Sequence, residues 1–139
     1  MIEGQPVAPD LFTWPSTAPR LIAGRHRETG KLAFPLPSGP DGADYEKVAL
    51  SPEGRLWSYT IQRFPPKSPP YKGDDNPKTF QPYAVGYVEL PGEIIVESRL
   101  KTDSFAGLKV GLPMRLVITP FGARSADGTD LLTYAFEPA

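Results

Sequence analysis

Downstream of residue 46, apolar and polar positions alternate in short runs divided by turn signals. Residues 46–50 predict a short strand, and Ser51-Pro52-Glu53-Gly54 a turn. Within 55–64, Trp57, Tyr59 and Ile61 alternate with Ser58, Thr60 and Gln62, the period of two that marks a strand with two unlike faces. Residues 83–90 are apolar on both faces, as a central strand requires. Pro91-Gly92 then turns the chain into 93–100, where Ile94, Val96 and Leu100 share one face and Glu93, Glu97 and Arg99 the other, so the two runs read as a hairpin. Residues 105–110 fit a short turn or helix. Met114, Leu116 and Ile118 alternate again, 124–130 is a polar turn holding Asp127-Gly128, and Leu132, Tyr134 and Phe136 form a last strand.

The segment before residue 51 has a different texture. Leu21-Ile22-Ala23 and Leu32-Ala33-Phe34 flank GRHRETGK (24–31), and a second loop rich in Pro and Gly occupies 35–44. Two knuckle-like loops, each preceded by a short strand, make a ribbon. Residues 1–20 set Pro6, Pro9, Pro15 and Pro19 among Leu11, Phe12 and Trp14. They read as an extended arm or one helical turn outside the core, whose aromatics dock either on the chain's own barrel or on a partner. Residues 65–81 carry five Pro with Lys67, Lys72, Asp74, Asp75 and Lys78, and a stretch this long without a pattern is expected to be functional or mobile. The resulting division is an arm at 1–20, a ribbon at 21–50 and a β domain at 51–139.

Composition sharpens the fold class. Eighteen Pro and thirteen Gly in 139 residues leave little room for long helices, because Pro removes a backbone donor. The chain is therefore mainly β. Five β segments after residue 55 suit a five-stranded, partly open Greek-key barrel, the OB-fold. An incomplete sandwich is the alternative. A net charge of −1 argues against a general attraction to nucleic acid. With no cysteine, disulfides and thiolate metal sites are excluded. No apolar run approaches the ~20 residues of a membrane helix. Met1-Ile2-Glu3-Gly4 lacks the basic and apolar regions of a signal peptide, so a cytoplasmic protein without a membrane partner is expected.

Candidate chemistry is sparse. The only histidine, His26, sits between Arg25 and Arg27, whose charges disfavour the imidazolium, and no motif places an acid beside it. Asp74-Asp75, and Asp127 with Asp130, lie in turn-like segments and read as solvated loop or Asx-turn residues. No phosphate-binding glycine loop is present. The densest charge is Arg20, Arg25, Arg27 and Lys31 with His26, all within twelve residues. Guanidinium forks and an ammonium suit phosphates, and Glu28 inside the cluster weakens the field.

The order of pieces is distinctive: RHRETG, LAFP, a Pro/Gly loop, EKVALSPEGRLWSYTI, FPP, PYAVGYVEL, GEIIVESRL, GLKVGLPMRLV and a terminal aromatic strand. It resembles the acyl-CoA-associated OB-fold proteins with an N-terminal rubredoxin-like zinc ribbon, catalogued as domain of unknown function thirty-five. The resemblance spans about residues 20–138 and is most specific at 50–60 and 82–90. It implies an OB-fold barrel behind a rubredoxin-like ribbon. It also implies a non-catalytic accessory subunit of a thiolase-like complex, in which a lipid-transfer-type thiolase or aldolase, or an acyltransferase, works on acyl-CoA thioesters. Steroid side chains and aromatic acids are examples of the acyl group. The partner carries the chemistry, and two copies of each chain are expected.

The same resemblance implies that Arg20, Arg25, His26, Arg27 and Lys31 face the CoA phosphates, and that Phe12, Trp14, Phe64 and Tyr71 face the partner. Its metal pattern is broken here. The family's first CxxC pair falls on His26 and Thr29, and its second within 38–42 meets no thiol, so a ribbon without zinc or another resident cofactor is expected. The competing function is a single-stranded nucleic-acid binder that stacks bases on Tyr59, Tyr83 and Tyr87. Against it, those tyrosines fall in alternating strands where core packing is expected. A free-standing acyl-CoA hydrolase or carrier is the third reading, of which hydrolysis is disfavoured, because the sequence shows no nucleophile paired with a base.

Overall fold

The computed structural model describes residues 3–63 and 81–139. Its strands are β1 (Gln5–Pro6), β2 (Ile22–His26), β3 (Leu32–Ala33), β4 (Tyr45–Ala49), β5 (Glu53–Gln62), β6 (Tyr83–Glu89), β7 (Ile95–Leu100), β8 (Pro113–Arg124) and β9 (Asp130–Pro138). Short 3-10 helices cover Gly39–Asp44 and Phe105–Gly107. Five strands pair in the order β9-β7-β6-β5-β8, and a β8–β9 pairing closes the ring. This mainly β, five-stranded closed barrel is the OB-fold that the strand count predicts. The alternative of an incomplete sandwich is set aside by the closure.

Alternation decides what enters the barrel. On β7, Val96, Ser98 and Leu100 are buried, whereas Ile95, Glu97 and Arg99 are exposed. Ala84, Gly86 and Val88 of β6 and Leu132 and Phe136 of β9 fill the same interior with Leu56 and Met114. Burying the Val, Leu, Phe and Met side chains among them contributes about 1.5–3 kcal/mol each. On β5 the expected face of Trp57, Tyr59 and Ile61 is broken by a register shift between Leu56 and Ser58. Leu56 turns inward opposite Val88, and Trp57 occupies the extra position, 54% exposed. Gly86 makes the close approach possible: a Cβ there would lie 2.5 Å from the Ser58 carbonyl oxygen. The core packing expected of Tyr59 and Tyr87 does not occur, since both remain more than a third exposed.

The segment ahead of the barrel forms a second sheet, β3-β2-β4, antiparallel throughout. It joins the barrel through Leu21 and Leu50, which are fully buried in the same core and linked by a hydrogen bond from the Leu50 amide to the Leu21 carbonyl, 2.9 Å. The expectation that residues 1–20 lie outside the core fails at Leu11 and Phe12, which are both buried in it. Short as it is, β1 pairs in parallel with β9 at Leu131 and Leu132. The arm therefore docks on its own chain, because its apolar residues find a face already lined with Leu132 and Leu21. Phe64, Tyr71, Asp74, Asp75 and the long loop expected at 65–81 lie outside the described residues except for Gln81.

Candidate functional site

The basic cluster of the ribbon comes together only in part. Arg20 donates through Nε to the Leu50 carbonyl at 2.7 Å and through Nη2 to that of Ala49 at 3.4 Å. Arg27 donates to the Ala43 carbonyl at 3.2 Å and to that of Tyr45 at 3.3 Å. Both guanidiniums thus bond carbonyls at the ends of β4 or in the 3-10 helix before it, a structural task that sequence spacing does not reveal. The His26 Nδ1 accepts the amides of Glu28 and Thr29, each at 3.2 Å, and its ring stands edge-on to Tyr45 at 5.1 Å. An accepting Nδ1 fixes the proton on Nε2. His26 therefore organises the turn between β2 and β3. Arg25 and Lys31 are exposed and form no ion pair with a described residue. Among the described residues, no group of three or more His, Cys, Asp or Glu side chains converges as a metal would need.

Of the expected partner contacts, Phe12 is only 3% exposed and packs into the core, so it offers no surface to another chain. Trp14 is half-buried, edge-on to Phe12, and its indole N–H donates to the Gly4 carbonyl at 3.0 Å. The exposed aromatics lie elsewhere, on the outer side of β5 and β6. Trp57 and Tyr87 meet edge to face at 6.3 Å, with Ile95 of β7 also 40% exposed. Tyr87 lies opposite Glu97 and donates its hydroxyl to that carboxylate. This bond, then the negative charge, then burial, raise the Tyr87 pKa.

A second site opens between β7 and β9. These strands run parallel and match only at Leu100 opposite Phe136. Beside that point lies a cleft of 530 Å³, walled by Tyr83, Phe105, Phe121 and Tyr134, with Arg99 and Lys101 among its lining residues. The Arg99 guanidinium stacks 3.6 Å from the Tyr83 ring centre. Tyr134 spans the gap: its hydroxyl donates to the Glu97 carbonyl at 2.9 Å, and Phe34 of the ribbon meets its ring edge to face at 5.6 Å. Burial, then the Glu97 charge, push the Tyr134 pKa up to about 12.

At the far end of the β8–β9 hairpin, Asp127 accepts from the Ser125 hydroxyl and from the Thr129 amide at 3.0 Å. Ser125 first and Thr129 second hold its carboxyl down at about 2. It is the Asx-turn residue that the sequence suggests. Sequence reasoning missed Arg99, Lys101 and Tyr134. Their signal was faint: two cations two residues apart on one strand face, distant in sequence from the aromatics they join.

Among the described residues, no helix is long and apolar enough to cross a membrane. No curated protein matches the chain in sequence. A solved chain described as "Ltp2-ChsH2(DUF35) aldolase" superposes with a TM-score of 0.58 at 22% identity, covering 86% of this chain and 84% of that one. At that identity the likeness shows the fold. The family described as the ChsH2 C-terminal OB-fold domain matches residues 47–119, which include all of β5, β6 and β7 and the opening of β8. The two stretches most specific in the sequence, 50–60 and 82–90, prove to be the paired strands around the Trp57 bulge and Gly86. The chain belongs to the ChsH2 C-terminal OB-fold family.

Proposed function

We propose that the chain is a non-catalytic accessory subunit of a thiolase-like complex acting on acyl-CoA thioesters. The partner is a lipid-transfer-type thiolase or aldolase, or an acyltransferase, and the acyl group belongs to a class such as steroid side chains or aromatic acids. The observation that carries this reading is the family match over residues 47–119. The fold likeness to a chain described as an Ltp2-ChsH2(DUF35) aldolase agrees with it. The commitment of His26 to its own turn also favours chemistry carried by the partner. Arg25 and Lys31, the ribbon cations without an ion pair to a described residue, remain to meet CoA phosphates. The exposed Trp57–Tyr87 pair with Ile95 is the surface for the partner, replacing the buried Phe12. Aromatic anchors of this kind dominate interface energetics.

The test is co-expression of the full chain with a thiolase-like protein of the lipid-transfer type. A stable complex with equal amounts of the two proteins, two of each, is expected, and Trp57→Ala with Tyr87→Ala weakens it at least tenfold. A chain that stays monomeric beside that protein removes the reading. The exposure of Trp57 and Tyr87 leaves one competitor, a single-stranded nucleic-acid surface. Arg55 lies opposite Glu89 across β5–β6, which gives that face a balanced charge. Oligonucleotide binding that collapses steeply with salt would favour the competitor.

A further inference from the structure

The seam between β7 and β9 is closed at both ends. At one end Leu100 pairs with Phe136, and the Lys101 amide donates to the Phe136 carbonyl at 2.8 Å. At the other, β1 occupies the β9 edge, with the Val7 amide donating to the Leu132 carbonyl at 2.7 Å. Between these ends only positions 133–135 of β9 face the cleft, so an added strand would pair over three residues at most, below the usual length of about five or six. The same enclosure argues against a polynucleotide, which needs an open track lined with many cations. The volume of 530 Å³ falls within the range of small-molecule sites.

We propose that this cleft binds a small organic monocarboxylate with an aromatic or cyclic apolar body. The rings of Tyr83, Phe105, Phe121 and Tyr134 supply the apolar walls. Arg99 supplies the anion fork. Its stack on Tyr83 uses the flat face of the guanidinium and leaves the edge N–H groups, which match the two oxygens of a carboxylate. Lys101 adds a point charge. Neither cation forms an ion pair with a described residue; the Glu97 carboxylate also lines the cleft, and the two cations outnumber it. Tyr134 is held as a wall by its bond to the Glu97 carbonyl, so the cleft is shaped before a ligand arrives. The inference concerns this chain alone and stands whether or not a thiolase-like partner binds.

The experiment is calorimetric titration of the full chain with 3-phenylpropionate, alongside its neutral analogue 3-phenylpropanol and with phenyl phosphate. Saturable binding of the carboxylate is expected, at least about tenfold tighter than the alcohol. Phenyl phosphate binding as tightly as the carboxylate would overturn the carboxylate assignment. Arg99→Gln weakens the carboxylate about tenfold and leaves the alcohol unchanged, and Phe121→Leu weakens both. Arg55→Gln, on β5 and outside the cleft lining, changes neither. If Arg99→Gln does not fold, Arg99→Lys keeps the charge without the fork and still weakens binding. Equal affinity for acid and alcohol, equal losses in the Arg55 and Arg99 variants, or no saturable binding by the folded chain would each overturn the proposal.

Discussion

The ribbon and the β7–β9 seam use arginine in opposite ways. In the ribbon, Arg20 and Arg27 turn their donors onto the carbonyls of Leu50, Ala49, Ala43 and Tyr45, and so close the ends of a small sheet. At the seam, Arg99 lies flat on Tyr83 and keeps its edge clear. The difference comes from what surrounds each group. The three-stranded sheet buries few side chains of its own, Leu21 and Ala23 chief among them, and its strand-end carbonyls need donors. The barrel is already held by Leu56, Val88, Val96, Met114, Leu132 and Phe136, so Arg99 on its outer side is released from structural duty, whereas Arg115 and Arg124 of β8 still pair with Glu137 and Asp130 of β9. A dense run of basic residues is therefore a poorer guide to a binding site than a sparse pair beside a cleft.

The largest expected effect tests whether ribbon and barrel share one core. Leu21→Ala removes a fully buried side chain where they meet and is expected to cost about 2–5 kcal/mol in urea unfolding, with a single transition. Two separate transitions would mean that the ribbon folds on its own. Arg20→Ala comes next. It leaves the Leu50 carbonyl without its guanidinium donor and is expected to cost roughly 1–2 kcal/mol. Affinity for 3-phenylpropionate should not change, and a parallel loss of both properties would erase the contrast with Arg99.

Tyr134→Phe removes the bond to the Glu97 carbonyl at a cost of about 1 kcal/mol near neutral pH. The native phenol titrates at about 12, above its ordinary 10.0, so its contribution is complete below pH 10 and is lost as pH rises through the folded value. Unfolding curves between pH 10 and 12 should fall more gently in the variant than in the native chain. The smallest effect lies at the hairpin tip. Carboxyl resonances should place the Asp127 midpoint at about 2, below the ordinary 3.8, and Ser125→Ala should move it upward. Because the folded value is depressed, Asp127 adds stability above its ordinary pKa and loses it as pH falls through the folded one. An unmoved midpoint in Ser125→Ala would deny the hydroxyl that role.

Much of the barrel is legible without the structure. Alternation in 55–64, 93–100 and 132–136 locates strands to within a few residues, because period two follows from the pleat alone. The bulge at Trp57 is not legible, since it depends on Gly86 of another strand making room for the Ser58 carbonyl. The aromatic arm misled for a related reason. Phe12 and Trp14 sit among prolines with no periodic pattern to assign them a face, and only the neighbouring Leu21 and the Gly4 carbonyl settle that they turn inward.

By itself the sequence determined what local covalent chemistry and periodicity can determine: a mainly β chain, five barrel strands, no thiol, and a family order of motifs. Tertiary structure decided which cations are engaged, which aromatics are exposed, and that a cleft opens at a thinly paired seam. Those outcomes depend on atoms far apart in the chain arriving within a few ångströms of one another, Arg99 on Tyr83 and Tyr134 on Glu97. No spacing rule along one strand carries that information, because the partner lies on another strand whose register the barrel's closure sets.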